Sequence, residues 1–300
     1  AIDADSNAMT VAASADLTGV TVSNYGDLTV NVGQTLDLTV AQATGFNAGT
    51  FTNNGTVNVS GTGDLSAQNL ANVTTLTLTG DATLPNSTGD MPGAIDADSN
   101  AMTVAASADL TGVTVSNYGN LTINAGQTLE LTLAQFKAFT ITNNGTLNVT
   151  ASGDLTAENL STVTRLTLDG DATLPNSTGD MPGAIDADSN AMTVAASADL
   201  TGVTVSNYGD LTVNVGQTLD LTAAQATGFN AGTFTNNGTV NVSATGDLSA
   251  ENLSNVDTLT LTGDATLPNS TGDMPGAIDA DSNAMTVAAS ADLTGVTVSN

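Results

Sequence analysis

A parallel β-solenoid is the fold class this sequence predicts, and three observations predict it: a long tandem repeat, short apolar–polar–apolar strips within each repeat, and an aliphatic composition poor in rings. The segment AIDADSNAMTVAASADLTGVTVSN begins at Ala1, Ala94, Ala184 and Ala277, so the spacings are 93, 90 and 93 residues. The chain reads as repeat 1 (residues 1–93), repeat 2 (94–183), repeat 3 (184–276) and the start of a fourth (277–300). These are expected to form one continuous solenoid, a window on a longer array. Repeats 1 and 3 differ at only five aligned positions, Val40/Ala223, Gly61/Ala244, Gln68/Glu251, Ala71/Ser254 and Thr74/Asp257, which points to recent duplication.

Each repeat divides again at the strips Met9-Thr10-Val11, Leu28-Thr29-Val30, Val57-Asn58-Val59 and Leu76-Thr77-Leu78. Their period-two alternation is that of a half-buried strand. Asn-Gly and Thr-Gly steps, as in Asn53-Asn54-Gly55 and Thr79-Gly80, supply corners. Four strips per repeat give coils of about 23 residues, and so roughly four coils per 90–93-residue unit. Right-handed winding is expected, because parallel crossovers are overwhelmingly right-handed. A string of β-sandwich domains would show unlike strands and no sub-period. A helical repeat is disfavoured because Thr, Val, Asn and Gly dominate and no 3.6-residue period persists.

Repeat 2 lacks three residues where Ala43–Phe51 is replaced by Phe136-Lys137-Ala138-Phe139-Thr140-Ile141. An odd deletion inside a strand would turn its faces over. The segment is therefore expected to be a loop or bulge on the solenoid wall, with the Phe residues docking again on the core.

Composition excludes much chemistry. The 300 residues include 30 Asp and Glu against 2 Lys and Arg, with no Cys, His or Trp, for a net charge of −28. Thiol nucleophiles, disulfides and zinc-finger sites are absent, as are the usual general base and transition-metal ligand. Nucleic acid is repelled as a partner. No apolar run approaches the ~20 residues of a membrane helix, so no membrane insertion is expected. At 40% hydrophobic residues the chain can still bury a core, and 3% aromatics make that core Val, Leu, Ile and Ala.

The least strand-like stretch of each repeat runs from Asp81 to Asn100 and carries the candidate site. Asp96-x-Asp98-x-Asn100 has the alternate-oxygen spacing that opens a calcium loop, since calcium takes six to eight closely spaced oxygens. Asp81 and Asp90 add carboxylates. The equivalent sets are Asp171, Asp180, Asp186, Asp188 and Asn190, then Asp264, Asp273, Asp279, Asp281 and Asn283. Ala101 stands where an EF-hand has its turn glycine and Ser107 where it has its last glutamate. An Asp/Asn-rich turn with solvated carboxylates is the competing reading.

Other features have plain explanations. Thr10, Thr29 and Thr77 could form an exposed Thr ladder of the ice-binding kind, but Thr is also a favoured filler of solvated strands, and Asn58 breaks the series. Asn-x-Ser/Thr triplets such as those at Asn54, Asn58, Asn72 and Asn86 could carry glycans on an exported chain. A glycosidase-like carboxylate pair is the one enzymatic route the composition leaves. Near-identical coils without a groove unique to one repeat argue against it, and the protein reads as non-enzymatic. Tyr25, Tyr118 and Tyr208, each just before a turn glycine, read as packing residues with wet hydroxyls.

The Thr/Val/Asn/Gly-rich strips, such as Asp27-Leu28-Thr29-Val30-Asn31-Val32-Gly33-Gln34-Thr35-Leu36-Asp37-Leu38-Thr39, together with the Asp-rich loops, resemble the repeat regions of large secreted bacterial surface proteins: repeat adhesins, biofilm-matrix proteins and S-layer-like β-solenoids. That resemblance implies export to the cell surface, calcium-assisted rigidity and a role as scaffold, adhesive stalk or filament. The glycine-rich nonapeptide calcium signature of exported toxins does not occur in the chain. The reading is a structural extracellular or cell-surface repeat protein forming a stalk, sheath, surface layer or fibre. Its alternative is a calcium-binding adhesive module that engages glycans or neighbouring chains. Self-association end to end or side by side is expected from unpaired strand edges at solenoid ends.

Overall fold

The computed structural model describes residues 1–287 and 291–300 and divides into two compact units, Ala1–Val149 and Thr150–Asn300. Each unit is predominantly β and built of short parallel strands. In the first, Met9 pairs with Leu28 and Leu28 in turn with Phe51. Ala82, Met102, Leu121 and Ile141 follow one another in the same manner. So do Leu76, Ile95 and Val115. In the second unit the corresponding series are Ala172–Met192–Leu211–Phe234 and Leu166–Ile185–Val205.

Alternation decides which side chains enter the core. Leu28, Val30, Leu36, Leu38, Val57, Leu76 and Leu78 are fully buried. The residues between them, Thr29, Asp37 and Thr77, keep contact with solvent. Each buried aliphatic side chain contributes about 1.5–3 kcal/mol. A one-residue slip would forfeit that gain along an entire strand.

The four strips do not form one column. Met9–Val11 and Leu28–Val30 are neighbours, but the next strand on their face is Phe51–Asn53. Val57 instead lies beside Leu36, and Leu76 lies beside Val59 after a shorter pass of the chain. Thr77 therefore belongs to a different file from Thr10 and Thr29, whose register partner is Thr52. Asn58 breaks no threonine series, because it sits between Asp37 and Thr75.

Long strands turn corners. Thr75–Thr83 pairs through Thr75–Thr77 with Ala94–Asp96 and through Ala82–Thr83 with Met102–Thr103. Its other neighbour, Thr56–Asp64, shifts register between Gly61 and Gly63, where Gly63 has a φ of +79°. That irregularity bends the strand. At the Asn31–Gln34 turn Gly33 has a φ of +75°, the left-handed geometry that favours glycine at the third position of a type II turn.

The segment expected to be a loop or bulge is a helix. α1 (Val40–Asn47) and α3 (Ala223–Asn230) have eight residues, and α2 (Leu133–Ala138) has six. The fold is thus mainly β with one short helix per full repeat. The three-residue deletion shortens the helix and the turn after it, leaving the strand register intact. Phe139 then takes the place of Phe46: its ring lies 4.7 Å from Tyr118 at 87°, as Phe46 lies 4.8 Å from Tyr25 at 84°. Of the two Phe residues expected to dock on the core, Phe139 is buried and Phe136 is half-buried.

Each helix is started by a capping box, Thr39 with Gln42, Thr132 with Gln135, and Thr222 with Gln225. The glutamines are buried and do a second task. Gln225 Nε2 donates to the carbonyls of Leu200 and Val203, both at 2.8 Å, and its Oε1 accepts from the Thr222 amide at 2.8 Å. Gln42 and Gln135 repeat this pattern with Leu17/Val20 and Leu110/Val113. Every buried side-chain polar atom among the described residues has a partner.

Gln225→Ala removes the side-chain donor to the Val203 carbonyl and the acceptor of the Thr222 amide, while the Leu200 carbonyl keeps the Val203 amide at 2.9 Å. A buried polar group left unpaired costs about 1–3 kcal/mol. Denaturant unfolding should show a destabilisation of that order, whereas Val32→Ala, at a turn residue that is 80% exposed, should stay within about 0.5 kcal/mol of the parent.

Candidate functional site

The Asp96–Asn100 segment is a tight turn. The Asn100 amide donates to the Ala97 carbonyl at 2.8 Å, and the two central residues, Asp98 and Ser99, have φ of 46° and 64°. Two successive positive φ values are the mark of a type I′ turn, in which Asp and Asn are favoured. Asp5-Ser6, Asp188-Ser189 and Asp281-Ser282 have the same conformation.

The acidic side chains hold this turn together. Asp96 Oδ1 accepts from the Asp98 amide at 3.1 Å and from Asn117 Nδ2 at 2.9 Å. Asp186 does the same for Asp188 and Asn207. Asp279 accepts from the Asp281 amide at 3.3 Å. Asp81 Oδ1 receives the Ala101 amide at 2.9 Å, as Asp171 receives Ala191 and Asp264 receives Ala284. Asn100 Nδ2 donates to the carbonyls of Leu78 and Ala97, both at 3.0 Å, tying the turn to the strand before it. Asn190 and Asn283 make the equivalent bonds to Leu168 and Leu261.

The structure thus gathers Asp81, Asp96, Asp98 and Asn100 around one turn. Asp90 has a separate task. It ends the 3₁₀ turn Thr88–Asp90, and its backbone carbonyl accepts from the Leu70 amide at 2.9 Å. Asp180 and Asp273 do the same for Leu160 and Leu253. Among the described residues no group of three or more acidic side chains converges in a metal-holding arrangement.

A second set of aspartates escaped the sequence reading. In Asp16-Leu17-Thr18, Asp16 Oδ1 accepts both the amide of Thr18 at 2.8 Å and its hydroxyl at 2.7 Å. Asp109, Asp199 and Asp292 form the same ring with Thr111, Thr201 and Thr294. Asp64, Asp154 and Asp247 accept the amide two residues on. These bonds, side-chain first and backbone second, hold the carboxyls of Asp16, Asp64, Asp154, Asp247 and Asp292 below the usual range. The Asp-Leu-Thr/Ser triplet recurs at these aspartates, but Asp27, Asp37, Asp210 and Asp220 carry it too and accept from Thr50, Asn58, Thr233 and Asn241 instead. A cavity of about 390 Å³ in the second unit is lined by Thr178, Met181, Asp199 and Thr201, and its carboxylate is already occupied by the Thr201 ring.

No protein-family model, curated protein or solved structure matches this chain. The functional reading therefore rests on its own residues.

A carboxyl whose pKa is lower in the folded chain contributes stability above its unfolded pKa and loses it as pH falls through the folded value. In about 1 M salt, where charges are screened beyond ~3 Å, melting temperature should hold down to roughly pH 4 and fall below it. Replacing Asp16, Asp64, Asp154, Asp247 and Asp292 together by Asn should flatten that decline in a calorimetric pH series.

Proposed function

We propose that this chain is part of a structural, non-enzymatic protein of the cell surface or extracellular space, in which the repeat is the working unit. The observation that carries this reading is distribution. The helix with its buried glutamine, the paired aspartate turn and the buried aliphatic files recur from repeat to repeat. A catalytic groove is shaped by unlike neighbours and would set one repeat apart, whereas a scaffold needs the same unit many times. On this reading the parallel strands close into right-handed coils of unequal length, so that a repeat makes between four and five coils. Repeats in series then serve as stalk, sheath, surface layer or self-associating fibre.

Length is the property such a protein tunes. At ~4.8 Å per coil, a chain lengthened by one further repeat should gain roughly 20–24 Å in its longest dimension by small-angle scattering. An unchanged longest dimension, with girth growing instead, would refute the stacked-coil reading.

The gathering of Asp81, Asp96, Asp98 and Asn100 at one turn favours calcium-assisted adhesion as the second reading. Since Asp96 and Asp81 already accept amide hydrogens, the turn should hold without a cation. Melting in millimolar calcium and in chelator should then coincide. A rise of several degrees with calcium would move the proposal to the second reading, because a ligand of the folded state alone stabilises it, by about 2.7 kcal/mol at a hundredfold excess over its Kd.

A further inference from the structure

Asn-x-Ser/Thr occurs at the same three places in all full repeats: Asn54, Asn144 and Asn237; Asn58, Asn148 and Asn241; and Asn86, Asn176 and Asn269. Sequence alone cannot rank them, but the fold separates them. Asn58 and Asn241 lie inside the nine-residue strands Thr56–Asp64 and Thr239–Asp247, with a neighbouring strand on either side. Their Nδ2 atoms donate to Asp37 and Asp220 at 3.0 Å. The nucleophilic amide is engaged by a carboxylate, and the half-exposed asparagine sits on an extended backbone paired on both sides, which cannot bend into an acceptor turn without local opening.

The other two places have the opposite character. Asn54, Asn144 and Asn237 are exposed at the turn before a strand. Their backbone amides are held by the carbonyls of Val30, Ile123 and Val213, and the following glycine amide is held by the side chain of Asn53, Asn143 or Asn236. The turn is fixed while the acceptor side chain stays in solvent. Asn86, Asn176 and Asn269 are likewise exposed, with Ser and Thr after them exposed too. Buried Leu84 and Met91 anchor that loop on both sides. The Thr88 hydroxyl oxygen accepts from the Asp109 amide at 3.1 Å, which orients it and leaves its O–H free to donate.

We infer that each repeat presents two acceptor sites for N-linked glycosylation, at Asn54 and Asn86 and their counterparts Asn144, Asn176, Asn237 and Asn269. The donor is a sugar activated as a diphosphate ester. The Asn Nδ2 attacks C1 of the sugar and the N–C1 bond forms. The C1–O bond to phosphate breaks, the diphosphate leaves with the electron pair, and the amide proton passes to a base of the transferase. Attached sugar would then recur at two fixed points in every repeat, on turns rather than on the strands that stack.

The test uses the folded 300-residue chain, a nucleotide-diphosphate sugar, and a soluble N-glycosyltransferase first shown to modify a short Thr-Asn-Asn-Gly-Thr peptide. Peptide mapping by mass spectrometry after cleavage at aspartate should find sugar at the six named asparagines. Asn58 and Asn241 should be modified at least about tenfold more slowly, because their reaction waits on local opening of a strand. Asn54→Gln and Asn86→Gln should each remove one site and leave melting unchanged. Modification of the peptide but not of the folded chain at these positions would overturn the assignment, as would equal rates at Asn54 and Asn58. Purified components make the result independent of where the protein resides.

Discussion

Parity is the constraint on which the rest depends. A strand in a parallel stack sends alternate side chains inward, so an inward residue must meet an inward residue on the next pass of the chain. Met9, Leu28 and Phe51 satisfy this although the connections between them differ in length, and Val59 and Leu76 satisfy it across a connection shorter still. Coil length is therefore free to vary, provided the extra or missing residues fall where no strand parity is at stake. The chain places them at corners: in the α1 segment, at the Gly61/Gly63 irregularity, and in the turn after α2.

Corners, however, expose backbone groups that the strand ladder no longer serves. A helix inserted at a corner leaves its first amides unpaired and lies over a preceding turn whose carbonyls can accept a further hydrogen bond. One residue serves both. The buried glutamine accepts from the N-cap amide through Oε1 and donates through Nε2 to two carbonyls of an earlier pass, those of Leu17 and Val20 in the case of Gln42. It links a local capping motif to a neighbouring pass of the chain, so the helix cannot shift without breaking both. The same link survives in α2 although that helix has lost its last residues, because the capping box is at the other end.

How much of this was legible follows from the length scale of each signal. Period-two strips and the long tandem repeat are repeated patterns, and the buried files of Leu, Val and Ile lie where those patterns put them. Column membership was not legible, because strips at nearly equal spacing look alike until backbone pairing separates Phe51 from Val57. The helix was missed because Val40–Asn47 spans barely two turns and includes Thr, Gly and Asn, poor helix formers. Its one clear sign was Thr39 followed three residues later by Gln42. For the candidate site, the Asp-x-Asp-x-Asn spacing falls on a turn whose aspartates accept amide hydrogens. It could not tell a shared cation from a shared set of amide hydrogens, since both demand closely spaced oxygens.

The surplus of acid becomes intelligible once the partners of those carboxylates are sorted by type. Stacked acids sit in register, Asp16 beside Asp37 and Asp199 beside Asp220, a placement that costs energy when like charges face each other. The next residue in each file is Asn, and its amide donates to the middle carboxylate: Asn58 to Asp37, Asn241 to Asp220. Asn24, Asn117 and Asn207 serve Asp3, Asp96 and Asp186 in the same way. A neutral amide stabilises a carboxylate by hydrogen bonding without the long, entropically costly side chain of Lys or Arg. In a parallel stack it also fits the ~4.8 Å spacing between neighbouring strands. Asparagine takes the part that cations play elsewhere, which is how a chain with a net charge of −28 and two basic residues keeps its turns and strand faces in order.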